Sequence, residues 1–362
     1  MQGKLVLANG ETFEGELFGS IHPAFGEVVF NTSMTGYQEI LTDPSYCRQI
    51  IVMTYPMIGN YGINLEDDEA RRSFASGLVV SEHCRFPSNF RSHKTIAEYL
   101  TEQGLCGISG VDTRALVQTL RQQGTMAGYI VPLDHPVSLG FPALPADQVR
   151  TVSTPAAYVE GAGNTGPHVV LYDFGAKLAI AKSLVNRGCR VTVVPYTTTV
   201  QEVDALKPDG IVFSNGPGDP TSIPEVIPHI QALCERYPIL GICLGHQLLA
   251  LAHGAQTTRL PFGHRGSNHP VKDLRTGKVY ITAQNHGYVV TTESVPDTLV
   301  VTHRHVNDRT VAGFHHVSRP ILSVQYHPEA CPGPRESAYL FDEFLAMMRE
   351  PAPAIRQEHV GT

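Results

Sequence analysis

The segment Gly241-Ile242-Cys243-Leu244-Gly245-His246-Gln247 sets a cysteine between two glycines, each two residues away. The apolar run Pro238-Ile239-Leu240 leads in, and Leu248, Leu249, Leu251 and Ala252 follow at helical spacing, which predicts strand, sharp turn and helix. The paired glycines leave room for a strained elbow that a Cβ would obstruct. A thiol at that turn stands at a helix N-terminus, where partial positive charge favours the reactive thiolate. The plainer reading is a buried cysteine in a Gly-rich turn, and the glycines argue against it. Cys243 is a candidate nucleophile.

A nucleophile needs a base, and the base needs an orienting group. Tyr326-His327-Pro328-Glu329 supplies both at the end of a predicted strand over 321–327. Side chains two apart on a strand share a face, so Glu329 is expected to hold the His327 ring in one tautomer. The loop Ser214-Asn215-Gly216-Pro217-Gly218-Asp219-Pro220 adds backbone amides that a ligand can approach closely. The amides of Gly216 and Leu244 are the expected oxyanion donors. Among the other histidines, His303, His305, His315 and His316 lie on predicted strands without metal-ligand spacing. His264 and His269 fall in a Gly/Asn loop over 263–270 that borders the site, and His246 is assigned to packing or capping. No metal site is expected.

The elements that carry these groups alternate from 168 onward. Strands are predicted at 168–173, 189–195, 210–213 and 238–242, with helices at 176–186, 199–206 and 225–236 between them. Short buried strands alternating with amphipathic helices mean a doubly wound, mostly parallel sheet. Ligands in such sheets sit at the carboxyl ends of strands, where Cys243 and Ser214 to Pro220 fall. Later strands at 279–283, 299–306, 311–317 and 321–327 read as hairpins, and a helix over 336–348 closes the unit. The N-terminal part opens with a hairpin, 5–8 and 12–17, around Asn9-Gly10. Strands at 27–30, 49–53 and 77–80 and helices at 95–103 and 113–123 make it a mixed α/β domain. The expected division is an N-terminal domain 1–131, a Pro/Gly-rich connector 132–167, an α/β domain 168–350 and a tail 351–362.

A length of 362 residues with 42% hydrophobic content suits two cores. A net charge of -7 without a basic run excludes nucleic-acid and anionic-membrane partners. No apolar run reaches the ~18 residues of a membrane span, and the opening Met1-Gln2-Gly3-Lys4 reads as a strand start rather than a signal peptide. The seven cysteines are scattered, without a Cys-x-x-Cys pair, so a reducing cytoplasm is expected and neither a disulfide framework nor a zinc site.

Four segments, Gly241 to Gln247, Ser214 to Pro220, Thr282-Ala283-Gln284-Asn285-His286-Gly287-Tyr288 and His327-Pro328-Glu329, resemble the class I (triad) glutamine amidotransferase domain. The stretch from Gly26 to Tyr46, together with Val111-Asp112-Thr113-Arg114 and Pro332-Gly333-Pro334, resembles the glutamine-hydrolysing small-subunit family of carbamoyl phosphate synthetase. The resemblance implies that Cys243 attacks the side-chain amide of glutamine, that His327 shuttles the proton and that Glu329 orients it. It implies glutamine contacts at Ser45, Gly216, Gly218, Leu244, Gln247, Asn285, Gly287 and Tyr288, the last standing where the family often has Phe. Ser45 would make the pocket span both domains.

The partner so implied is a large synthetase subunit that combines the ammonia with bicarbonate and ATP, giving carbamoyl phosphate for arginine and pyrimidine synthesis. This chain lacks a Gly-rich Lys-Ser/Thr phosphate loop, so ATP and magnesium are expected on that subunit and no cofactor here. The end at Thr362 suggests a separate subunit rather than a fusion. Two other readings stand beside this one: a free-standing γ-glutamyl or cysteine hydrolase, and a silent glutamine-binding regulatory subunit. The presence of all three triad residues argues against silence.

Overall fold

The structure, a computed structural model, describes residues 1–137 and 140–349. The expected tail over 351–362 lies outside the described residues. Asn9-Gly10 turns the chain between Gln2–Leu7 and Thr12–Gly19, with Leu5 opposite Phe13. Gly10 takes φ 90°, a conformation that a Cβ would penalise. This hairpin joins a closed barrel that continues through Cys106–Ser109, Gly77–Val79, Gln49–Met53, Ala24–Asn31 and Met126–Pro132. Its strands sort side chains by alternation. Val28, Ile50 and Val79 face the interior with Leu5, Ile108 and Ile130, while Val29, Ile51 and Leu78 face a second core under the helix Ile96–Gln103.

Two barrel strands escape the sequence reading. Cys106–Ser109 is too short for a periodic signal, and Met126–Pro132 runs into the Pro-rich stretch. Closure removes exposed strand edges, and that gain is not written in local pattern. The expected connector also carries order. Gln148–Val152 is a helix, and Tyr158–Glu160 pairs antiparallel with Arg190–Pro195 at the edge of the second sheet.

Five strands form the parallel heart of that second sheet, in the order Arg190–Pro195, His168–Asp173, Gly210–Phe213, Ile239–Ile242 and Ile321–Val324. The helices Leu178–Val185 and Tyr339–Arg349 cover one face through Ile180, Leu184, Leu340 and Phe344. Val200–Leu206, Ile227–Cys234 and Leu244–Ala252 cover the other through Val203, Ile230, Leu233 and Leu248. The sheet is doubly wound, as the alternation of elements predicts.

Beyond Ile321–Val324 the sheet turns antiparallel through Val311–His316, Leu299–His305, Thr257–Asp273 and Val279–Val290. Here two expectations need correction. Residues 263–270 are not a loop but the middle of the strand Thr257–Asp273, which pairs His264 with His286 and His269 with Thr282 across two bulges. Bulges absorb Gly263 and Gly266 without ending the ladder. The strand Ile321–Val324 also ends before His327. Residues His327 to Ala330 form a turn, closed by the Ala330 N–H donating to the His327 carbonyl at 3.1 Å. Glu329 therefore reaches His327 by a turn, not by strand alternation.

Candidate active site

Cys243 sits between Ile239–Ile242 and Leu244–Ala252 with φ 53° and ψ −101°. Such a backbone costs of order 1–3 kcal/mol for a residue with a side chain and persists only where its surroundings enforce it. The enforcement is visible. The Cys243 N–H donates to the Val324 carbonyl at 2.9 Å, and the Gly245 N–H donates to the Ser214 carbonyl at 2.9 Å. A Cβ on Gly245 would lie 2.2 Å from the Phe213 carbonyl oxygen, so no other residue fits there. The elbow that the paired glycines predict is present.

His327 Nδ1 lies 2.6 Å from Glu329 Oε1, and both side chains are fully buried. His327 Nε2 has no well-aligned hydrogen-bond partner among the described residues and faces the Cys243 thiol. Burial opposes the imidazolium, yet the Glu329 carboxylate outweighs it and, with the Cys243 thiol, raises His327 to about 10. Burial likewise opposes the Glu329 carboxylate, but Lys177 and then His327 draw its pKa down to about 2. Sulfur, imidazole and carboxylate converge. The Cys243 thiol also faces the Asn285 carbonyl at 3.6 Å and the Gln325 Nε2 at 3.7 Å.

The loop after Gly210–Phe213 lies against the elbow. A Cβ on Gly216 would meet the Phe174 carbonyl oxygen at 2.2 Å and Leu244 Cδ2 at 2.7 Å. Neither the Gly216 nor the Leu244 N–H donates to a protein acceptor among the described residues. Both are available to an oxyanion beside Cys243.

A cavity of about 220 Å³ opens over Cys243, lined by Ser45, Gly216, Gly218, Gln247, Asn285, Gly287 and Tyr288. Leu244 is buried and is not part of this lining. Gln247 Nε2 is held by the Tyr288 carbonyl at 2.7 Å and Gln325 Oε1 at 3.0 Å. His327 lines a smaller void that shares Asn285 with the first and reaches Asp43 and Lys177.

Both domains build the pocket. Ser45 Oγ accepts from Asn215 Nδ2 at 2.9 Å, and Asp43 Oδ2 accepts from Asn285 Nδ2 at 2.8 Å. Asp43 Oδ1 also caps the short turn by accepting the Ser45 N–H at 2.9 Å.

Sequence reasoning missed Asp43, Lys177, Asn215 and Gln325. Asp43 and Asn215 stand inside the segments that carry the resemblance, but their direction is set across the domain boundary. Lys177 follows the strand His168–Asp173 at its carboxyl end, a position that could have flagged it. Its ammonium bonds Glu329 Oε1 at 3.1 Å and the Ala330 carbonyl. Burial opposes that charge, but Glu329, Glu69 and Asp43 outweigh it and raise the Lys177 pKa.

His246 packs as expected. It is buried against Phe314 with Nδ1 2.8 Å from Ser323 Oγ, and burial lowers its pKa to about 3, which keeps it neutral. His305, expected on a strand without metal-ligand spacing, and His264 and His269, expected in a loop, are brought together by the fold.

Comparison with known proteins agrees with this geometry. The family model described as glutamine amidotransferase class-I matches residues 170–347, and that of the carbamoyl-phosphate synthase small chain CPSase domain matches residues 5–130. The carbamoyl phosphate synthase small chain of Bacillus caldolyticus is 55% identical over 356 residues, 97% of each chain. The pyrimidine-specific small chain of Bacillus subtilis is 51% identical over 96% of each chain. The small chain of Clostridium perfringens is 51% identical over 95% of this chain and 99% of that one. With both halves matched and identity sustained along the whole length, the chain belongs to the carbamoyl phosphate synthase small chain family.

Proposed function

We propose that this chain is the glutaminase subunit of a carbamoyl phosphate synthase. Glutamine enters the cavity between the domains, held by Ser45, Gly216, Gly218, Leu244, Gln247, Asn285, Gly287 and Tyr288. With its proton passed to His327, the Cys243 sulfur attacks the side-chain amide carbon, and the oxygen that gains charge turns to the Gly216 and Leu244 amides. His327, protonated against Glu329, gives its proton to the amide nitrogen. Ammonia leaves, and a γ-glutamyl thioester remains on Cys243. His327 then takes a proton from water, which attacks the thioester, and returns it to the Cys243 sulfur as glutamate leaves, restoring the thiol. Glu329 stays ionised throughout and holds the ring.

Ammonium is not a nucleophile, so the ammonia must reach its acceptor without meeting bulk water. The acceptor chemistry belongs to a large synthetase subunit, which carries ATP and magnesium and turns bicarbonate and ammonia into carbamoyl phosphate for pyrimidine and arginine synthesis. No helix among the described residues is long and apolar enough to cross a membrane, and we place the assembly in the cytoplasm.

The observation that carries this reading is one buried line of groups: a thiol on a strained elbow, a free imidazole nitrogen, and a carboxylate 2.6 Å from the other nitrogen. The test is Cys243→Ser in the complex with its large subunit. Glutamine-dependent synthesis should be lost while ammonia-dependent synthesis remains. Unchanged use of glutamine would reject the assignment. Full glutamine turnover by the isolated chain, unaffected by the large subunit, would favour a free-standing hydrolase.

A further inference from the structure

Behind the strand that carries Asn285 and His286, four elements of side-chain chemistry meet that the glutaminase reaction does not use. His264 and His269 come from the bulged strand Thr257–Asp273, His305 ends the strand Leu299–His305, and Asp308 stands in the turn that follows. The turn is tight. The Arg309 N–H donates to the His305 carbonyl and the His305 N–H donates to the Thr310 carbonyl, both at 3.0 Å. This folds Asp308 back over the rings. Its Oδ2 lies 2.7 Å from His264 Nε2, and its Oδ1 lies 3.0 Å from His305 Nδ1.

The rings of His264 and His305 stack with centroids 4.2 Å apart, and His269 Nδ1 lies 3.1 Å from His305 Nε2. One ring nitrogen from each histidine lies within 4.8 Å of the others. His264 and His305 are almost wholly buried, and the His305 Nδ1 has no well-aligned hydrogen-bond partner. Each neutral imidazole offers one lone pair, and three imidazole nitrogens within 4.8 Å of one another make a donor set for a cation. A cation is the group that satisfies such a cluster.

We propose that His264, His269 and His305 form a binding site for a divalent transition-metal ion of the zinc type, with Asp308 orienting two of the rings. Three imidazoles are a common set for zinc and its neighbours, and a carboxylate on the far nitrogen of a ligand is the usual support. Nitrogens bound to one zinc at about 2.0–2.1 Å lie about 3.4 Å apart in a tetrahedron. Binding therefore needs the nitrogens to close from within 4.8 Å, and the stacked His264 and His305 rings to rotate until each points its lone pair at the ion. The ion would tie the turn after Leu299–His305 to the strand behind the glutamine pocket. The ring of His286, which lines that pocket, stands edge-on to His264 at 5.0 Å.

The test is titration of the chelator-treated full-length protein with cobalt(II), followed by displacement with zinc. One equivalent should bind, giving the visible bands of a four-coordinate nitrogen and oxygen site without thiolate charge transfer. His305→Asn and His269→Gln should each weaken binding at least about tenfold, and Asp308→Asn about 10–100-fold. Absence of saturable binding by the unsubstituted chain would overturn the proposal. So would cobalt bands with thiolate character, or unchanged affinity in a His264→Asn/His305→Asn double variant.

Discussion

Lys177 Nζ lies 3.1 Å from Glu329 Oε1, the same oxygen that His327 Nδ1 meets at 2.6 Å. One buried carboxylate oxygen is thus shared by two cations, and the proton on His327 is held by a charge that Lys177 also claims. The lysine steadies Glu329 as an anion and competes with the imidazolium for it.

Replacing that lysine exposes the cost of the arrangement. Lys177→Met leaves Glu329 and Glu69 without their common counter-charge, and Glu69 is already raised to about 7 by burial. Breaking a buried ion pair by removing one partner costs about 3–5 kcal/mol, which lowers Tm by roughly 6–20 °C in a chain of this kind. Adding Glu69→Gln should restore part of the loss. Calorimetry decides this, and a Tm change within a degree would show that the network carries no such stress.

The elbow makes a sharper steric prediction. Gly245→Ala drives a Cβ to 2.2 Å from the Phe213 carbonyl oxygen, a clash with backbone that cannot rotate away. Overpacking of this sort costs about 1–3 kcal/mol or more. The displaced Cys243 should lose at least about a hundredfold in glutaminase rate. Gly254→Ala is the control, since its Cβ meets nothing within 4 Å and only its φ of 87° is strained. That variant should lose about 1–2 kcal/mol of stability and keep its turnover. Equal activity in the two variants would contradict the elbow argument.

Asp43 bears on substrate affinity through two pocket residues. It accepts the Ser45 N–H and the Asn285 side-chain amide, one from each domain. Hydrogen bonds to a charged group contribute about 1.5–3 kcal/mol, so Asp43→Ala should raise KM for glutamine about 10–100-fold. Ammonia-dependent synthesis by the complex should stay intact. Steady-state kinetics with each nitrogen donor separates these effects, and loss of both activities would point to general misfolding.

The His327–Glu329 pair should also shape stability against pH. His327 rises from 6.5 to about 10 on folding, so its contribution is whole below about 6.5 and fades as pH climbs toward 10. Glu329 falls from 4.5 to about 2, so its contribution is whole above about 4.5 and fades as pH drops toward 2. Denaturant unfolding of the wild type and of His327→Gln should differ most between those limits. The gap should shrink steadily on the alkaline side. A gap that is flat to pH 10 would mean the imidazolium is not the stabilised form.

What the chain alone determined is local. Cys243 with its two glycines, the loop at Gly216, the turn at Asn9-Gly10, and the alternation of buried strands with helices each act within a few residues of backbone. Their conformations follow from sterics and burial wherever they occur. Tertiary structure decided the rest. Cys106–Ser109 and Met126–Pro132 become strands only because a barrel must close on them, and residues 263–270 become strand only because Val279–Val290 lies alongside. The pairing of Glu329 with Lys177, of Asp43 with Asn285, and of His264 with His305 joins residues 152, 242 and about 41 positions apart. Such pairs form because the packed core holds their backbones near one another, and no local pattern in the chain records that distance.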